Sequence, residues 1–151
     1  MYLKSLEDTK NFSQQISKII SFGDIIFLYG EIGVGKTTFV RYFINSLEKK
    51  NKIRNSEVLS PTFNIVYDYD IGSIKIQHYD LYRLENYNDI SQLGMFETFD
   101  DNIKIVEWPE LIDPKPINRV DILFKYSNLL DSREVEITGF GKWKDYKFNG
   151  I

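Results

Sequence analysis

A single α/β domain built around a phosphate-binding loop is the fold class that this sequence predicts. Two observations carry it. The apolar pentapeptide Ile25–Tyr29 runs straight into Gly30-Glu31-Ile32-Gly33-Val34-Gly35-Lys36-Thr37, and that loop runs straight into an amphipathic stretch ending at Lys50. A strand, a glycine loop and a helix in immediate succession form the opening unit of a parallel-sheet domain. The second observation is compositional. With 151 residues, 42% hydrophobic and 27% charged, the chain has the length and balance of one ordinary globular domain, expected over residues 1–151.

Each element follows from its pattern. Phe12, Ile16, Ile19 and Ile20 recur at helical spacing over residues 9–20, and Ser5 or Thr9 can start that helix. Residues 21–24 read as a stop and a turn. The run IIFLY has no polar alternation, as expected of a strand covered on both faces. In the next segment Phe39, Val40, Phe43, Ile44 and Leu47 fall on one helical face. Residues 51–59 are polar and read as a loop. Residues 63–69 and 74–79 alternate about a turn at 70–73, which predicts a β-hairpin with one wet face. Residues 89–99 read as short helical turns, 103–106 as a strand, and 120–125 and 134–138 as two closing strands. The aromatic and basic tail from Gly141 has no clear pattern and reads as a loosely ordered end.

Composition removes several function classes. There is no cysteine, which excludes a disulfide scaffold, a thiol nucleophile and a thiolate metal site. One histidine, His78, excludes a multi-histidine zinc centre but not a magnesium site built from oxygens. A net charge of −3 argues against direct wrapping of nucleic acid. The first twenty residues mix charged, amide and hydroxyl side chains, unlike a signal peptide, and no apolar run reaches the roughly 18 residues of a membrane span. A cytoplasmic location is the expectation.

The loop matches G-x-x-x-x-G-K-[ST] at every fixed position. Gly30, Gly33 and Gly35 admit backbone shapes closed to other residues and let amide groups approach phosphate. The helix that starts at Lys36 offers free N–H groups and a positive dipole end. Lys36 brings a point charge for the β- and γ-phosphates, and Thr37 a hydroxyl for Mg²⁺.

Such a site needs an acid near the metal. Glu107 follows the strand 103–106 directly and so emerges at the sheet's carboxyl edge, where open α/β sheets bind ligands, and Asp80 ends the alternating strand 74–79; the alternative for each is a solvated strand-end charge. Thr62, in Ser60-Pro61-Thr62, has the position of a loop hydroxyl that senses the γ-phosphate, or of a simple turn cap. His78 reads as a hydrogen-bonded structural histidine. Arg83 can meet phosphate charge or pair with Glu85, and Trp108 is a core or rim aromatic. Asn51-Lys52-Ile53-Arg54 begins the guanine-reading N-K-x-D motif but carries Arg54 in place of the aspartate, so ATP is the expected nucleotide.

Taken together, GEIGVGKTT (30–38), SPTFNIV (60–66), HYDLYRL (78–84), LGMFE (93–97) and VEWPE (106–110) resemble the bacterial TsaE family, the small ATPases of tRNA threonylcarbamoyladenosine biosynthesis. The resemblance spans roughly residues 1–140. It implies a P-loop NTPase fold with a mixed parallel and antiparallel central sheet flanked by helices. It also implies ATP and Mg²⁺ as cofactors, ATP hydrolysis, and TsaB- and TsaD-like partners through which tRNA is met indirectly. By matching position, the loop residues Glu31, Ile32, Gly33, Val34, Gly35, Lys36, Thr37 and Thr38 hold the nucleotide, and Ser5 and Thr9 lie toward the adenine. Thr37, Glu107 and Asp80 serve the metal, with Lys36, Asp80 and Thr62 in catalysis and Trp108 beside the metal acid. Thr98 after Glu97 departs from the family pattern of a second acid there.

Two rivals stand beside this reading. A small P-loop kinase of a small molecule needs an arginine-rich lid, and after the loop arginine occurs singly at 41, 54, 83, 119 and 133. A nucleotide-gated binding module needs no turnover.

Overall fold

The apolar run Ile25–Tyr29 becomes the central strand of a seven-stranded sheet. In the computed structural model, which describes residues 1–96, 101–128 and 132–148, the elements in chain order are β1 (Tyr2–Leu3), α1 (Leu6–Ile19), β2 (Ile25–Tyr29), α2 (Lys36–Lys50), β3 (Val66–Ile71), β4 (Ile74–Asp80), α3 (Tyr87–Ser91), β5 (Ile103–Glu107), β6 (Arg119–Tyr126) and β7 (Arg133–Phe140). Short 3₁₀ turns occupy Pro109–Leu111 and Gly141–Trp143. The strand order is β1-β7-β6-β2-β5-β4-β3.

The sheet is mixed. Strand β2 runs parallel to both neighbours, β5 and β6, and β4 runs parallel to β5, while β3, β7 and β1 are added antiparallel at the edges. This arrangement explains the missing alternation in IIFLY. Ile26 and Leu28 pack under the helices, while Phe27 joins a second cluster with Val106, Tyr79 and Leu81 on the opposite face. Helices α1 and α2 lie together on the first face. Their seam is aromatic, with Phe12 and Phe39 at 5.4 Å and Phe39 and Phe124 at 5.8 Å between ring centroids.

Several boundaries differ from the pattern reading. Helix α1 begins at Leu6, capped by the Ser5 hydroxyl, which accepts from the Asp8 N–H at 3.1 Å; Thr9 lies inside the helix. The hairpin turn is only Gly72-Ser73, because Ile71 pairs with Ile74 and Gly72 takes φ +65°. Strand β3 therefore starts at Val66, and residues 63–65 stay outside it. Its partner β4 is wet at Lys75 and half-buried at Gln77, but closes toward its end, where it pairs with β5 and His78, Tyr79 and Asp80 are all buried. Helix α3 starts two residues before the expected turns, and residues 97–99, including Glu97 and Thr98, lie outside the described residues. The tail packs through residue 148. Trp143 is buried and donates its indole N–H to Asp24 Oδ1 at 3.2 Å, and Tyr146 and Phe148 lie against it. No helix among the described residues is long and apolar enough to cross a membrane.

Candidate active site

The site forms where β2, β4 and β5 end side by side beneath the start of α2. Gly30, Gly33 and Gly35 adopt φ of +130°, +75° and +120°. At Gly30 the requirement is also spatial, since a Cβ would lie 2.3 Å from the Phe124 carbonyl oxygen. The loop is braced from β6 and β7. The Tyr126 hydroxyl donates to the Ile32 carbonyl at 2.8 Å, and Arg133 Nε donates to the Val34 carbonyl at 3.1 Å while its guanidinium stacks on Tyr126.

Lys36 is buried. Its ammonium donates to the Gly30 and Glu31 carbonyls at 2.5 and 3.0 Å and lies 3.8 Å from the centre of the Trp108 ring. Burial pushes its pKa down, opposed by the charges of Glu107, Asp80 and Glu110. Trp108 holds a left-handed backbone, φ 59° and ψ 56°, directly after β5, and packs on Tyr82 at 4.9 Å between centroids. That backbone reversal turns the indole over the lysine. The stem and head of Lys36 are thus enclosed by the loop and the indole.

Thr37 Oγ1 donates to Glu107, at 2.8 Å from Oε1 and 3.1 Å from Oε2. His78 Nε2 lies 2.9 Å from the same Oε1. Asp80 accepts at Oδ2 from Ser60 Oγ (2.7 Å) and Thr62 Oγ1 (2.6 Å), and at Oδ1 from the Tyr82 N–H at 3.1 Å. Asp80 and Glu107 are register partners on adjacent parallel strands. One cavity of about 240 Å³ is bordered by Gly33, Lys36, Thr37, Thr62, Asp80 and Glu107, among others. The donor set facing it is hydroxyl and carboxylate oxygen, the hard ligand chemistry that Mg²⁺ takes, with one or two carboxylates completed by phosphate and water.

A second cavity, about 320 Å³, adjoins the first and shares Gly33, Gly35 and Thr38 with it; Ser5, Thr9 and Arg133 border its far side. Of the site residues that the resemblance carries over, all but Glu31 border the two joined cavities. The Glu31 side chain is exposed, and its backbone carbonyl is what meets Lys36. Arg83 lies over the Phe63 ring at 4.9 Å. Sequence reasoning missed Tyr126 and Arg133 as supports of the loop. They lie about a hundred residues from it, and no local pattern marks them.

A glycine loop joining the central parallel strand to a helix, with lysine and threonine opening that helix and a carboxylate ending the next strand, defines the phosphate-loop class of α/β domains. Within that class the chain is identified by comparison. It belongs to the TsaE family: the family model described as "Threonylcarbamoyl adenosine biosynthesis protein TsaE" matches residues 3–135. It is similar to the tRNA threonylcarbamoyladenosine biosynthesis protein TsaE of Rickettsia bellii, with 36% identity over 80% of this chain and 83% of that one. The protein of the same name from Bacillus subtilis is 33% identical over 89% of this chain and 82% of its own. The crystal structure of Bacillus subtilis YdiB superposes with a TM-score of 0.72 at 28% identity, covering 94% of this chain and 85% of YdiB.

Proposed function

We propose that this chain is a Mg²⁺-dependent ATPase of the cytoplasm that serves the threonylcarbamoyl modification of the adenosine beside the tRNA anticodon, working with TsaB- and TsaD-like partners. One observation carries the reading: Thr37, at the start of the phosphate-loop helix, is bonded to Glu107, and Glu107 stands in register with Asp80 on one cavity wall.

In this reading Lys36 exchanges its loop carbonyls for β- and γ-phosphate oxygens. Thr37 and Glu107 hold the Mg²⁺, with Asp80 beside them. Bound Mg²⁺ supplies neutralisation of charge on those oxygens. Asp80, already bonded to Ser60 and Thr62, orients the attacking water, so the loop at residues 60–62 reports on the γ-phosphate. The joined cavity beyond Thr38 takes the ribose and adenine, with Ser5 and Thr9 on its wall. Supporting positive charge is sparse, since Lys36 is committed to the ground state and Arg83 is engaged by Phe63. Partner control of turnover fits that scarcity, because an arginine supplied in trans is worth roughly 10³–10⁵ in rate.

The test is phosphate release by the chain alone, with its partners, and with partners plus tRNA. Slow basal turnover that rises with partners is the expected result. Full turnover by the isolated chain, indifferent to every addition, overturns the reading and favours a small-molecule kinase.

A further inference from the structure

His78 sits on β4 two residues before Asp80, with its side chain fully buried. Neither the phosphate loop nor the two acids require a histidine there. Its neighbours on the same strand face, Ile76 and the register partner Ile105, belong to the apolar core under the helices. An aliphatic residue would satisfy that setting at less desolvation cost.

The histidine meets Glu107, also buried, at 2.9 Å from Oε1. An ionised carboxylate only accepts hydrogen bonds, so Nε2 carries the proton and donates. Nδ1 is buried with no hydrogen-bond partner among the described residues, which suits the unprotonated nitrogen of this tautomer. Glu107 Oε1 is thus held by two donors on two elements: His78 from β4 and Thr37 from the start of α2. Oε2, 3.1 Å from Thr37 Oγ1, is the oxygen not shared with the imidazole. The Thr37 hydroxyl has one proton to share between the two carboxylate oxygens, so the His78 N–H is the second donor that distinguishes Oε1 from Oε2 and sets the rotation about the terminal bond.

We infer that His78 is a positioning residue that sets the rotation of the Glu107 carboxylate and so tunes the affinity of the Thr37–Glu107 pair for a divalent cation. The inference rests on the proposed Mg²⁺-dependent reading of the site. Groups that support metal ligands in this way typically contribute 10- to 100-fold in metal affinity when removed.

Three variants test it: His78→Gln, whose amide nitrogen reaches the position of Nε2; His78→Asn, whose amide is too short; and His78→Leu, which keeps bulk and loses the donor. The readouts are Mg²⁺ titration of fluorescent ADP binding, binding of the same nucleotide without Mg²⁺, and thermal unfolding. Expected is a fall of at least about 10-fold in apparent Mg²⁺ affinity for Asn and Leu. Gln should stay within about 3-fold of the parent, and metal-free nucleotide binding should be unchanged throughout. If the Leu variant does not fold, the Gln and Asn pair decides. Equal Mg²⁺ affinity in Gln and Asn, or parental affinity in Leu, overturns the inference alone. A parent whose nucleotide binding ignores Mg²⁺ overturns the underlying reading and the inference together.

Discussion

Asp80 and Glu107 stand opposite each other in register at the ends of β4 and β5, yet their oxygens are tied to different elements. Glu107 is bonded to the start of α2 through Thr37, and Asp80 to the loop at residues 60–62 through Ser60 and Thr62. Under the proposed function, these different hydrogen-bond partners assign the two carboxylates separate tasks. Glu107→Gln should reduce Mg²⁺ affinity by at least about 10-fold. Asp80→Asn should leave ATP affinity near parental and lower turnover by about 10²-fold, the scale of a positioned proton acceptor. Mg²⁺ and ATP titrations of phosphate release on both variants separate the roles.

Lys36 is buried, so its removal is best made with a side chain of similar volume. Lys36→Met should reduce nucleotide affinity about 10- to 100-fold, corresponding to one charge-assisted hydrogen bond of about 1.5–3 kcal/mol. Stability should change little, because burial already disfavours the ammonium charge and methionine still packs beneath Trp108. Calorimetric binding together with thermal melts checks both halves.

The loop glycines are not equivalent. At Gly30 an alanine meets the Phe124 carbonyl as well as a φ of +130°, whereas at Gly35 nothing lies within 4 Å of the added Cβ. Gly30→Ala should cost about 2 kcal/mol or more, lowering the melting temperature by roughly 4–8 °C. Gly35→Ala should cost less stability but still weaken nucleotide binding, because its φ of +120° shapes the loop amides that hold the phosphates in the proposed reading. Melting curves ranked parent, Gly35→Ala, Gly30→Ala are the expected order.

On the face away from the long helices, Asp121 lies beside Phe27 and accepts from Arg119 Nε at 2.9 Å. Burial pushes its pKa up, outweighing the lowering by Arg119 and Lys115. Between the unfolded value of about 3.9 and the raised folded value, the folded chain binds more protons than the unfolded chain. Asp121 therefore contributes stability at low pH that is lost as pH rises through that window. Asp121→Asn removes this contribution, so the parent should lose stability relative to the variant as pH rises from 4 toward neutrality. A stability difference between the two that stays flat across that range counts against the assignment.

How much of this was legible beforehand depends on the range of the interaction. Strand β2 and helix α2 have the bounds the pattern predicts, because an apolar run, three glycines and a 3.6-residue periodicity are local properties of contiguous residues. Lys36, Thr37, Asp80 and Glu107 likewise owe their candidacy to their place at element ends, and the structure sets all four around one cavity. The hairpin was found but misplaced at its first strand, because residues 63–65 alternate like a strand while the chain bends there, with Ile65 at φ 69°.

The sequence by itself therefore determined the phosphate loop, its flanking strand and helix, and the short list of acids, since each is written within a few residues. Only the tertiary structure decided that Glu107 answers to Thr37 and His78, that Asp80 answers to Ser60 and Thr62, and that Tyr126 and Arg133 hold the loop from β6 and β7. Those pairs are 18 to 99 residues apart. Strand order and register bring them together, and neither is encoded in the local spacing of the residues involved.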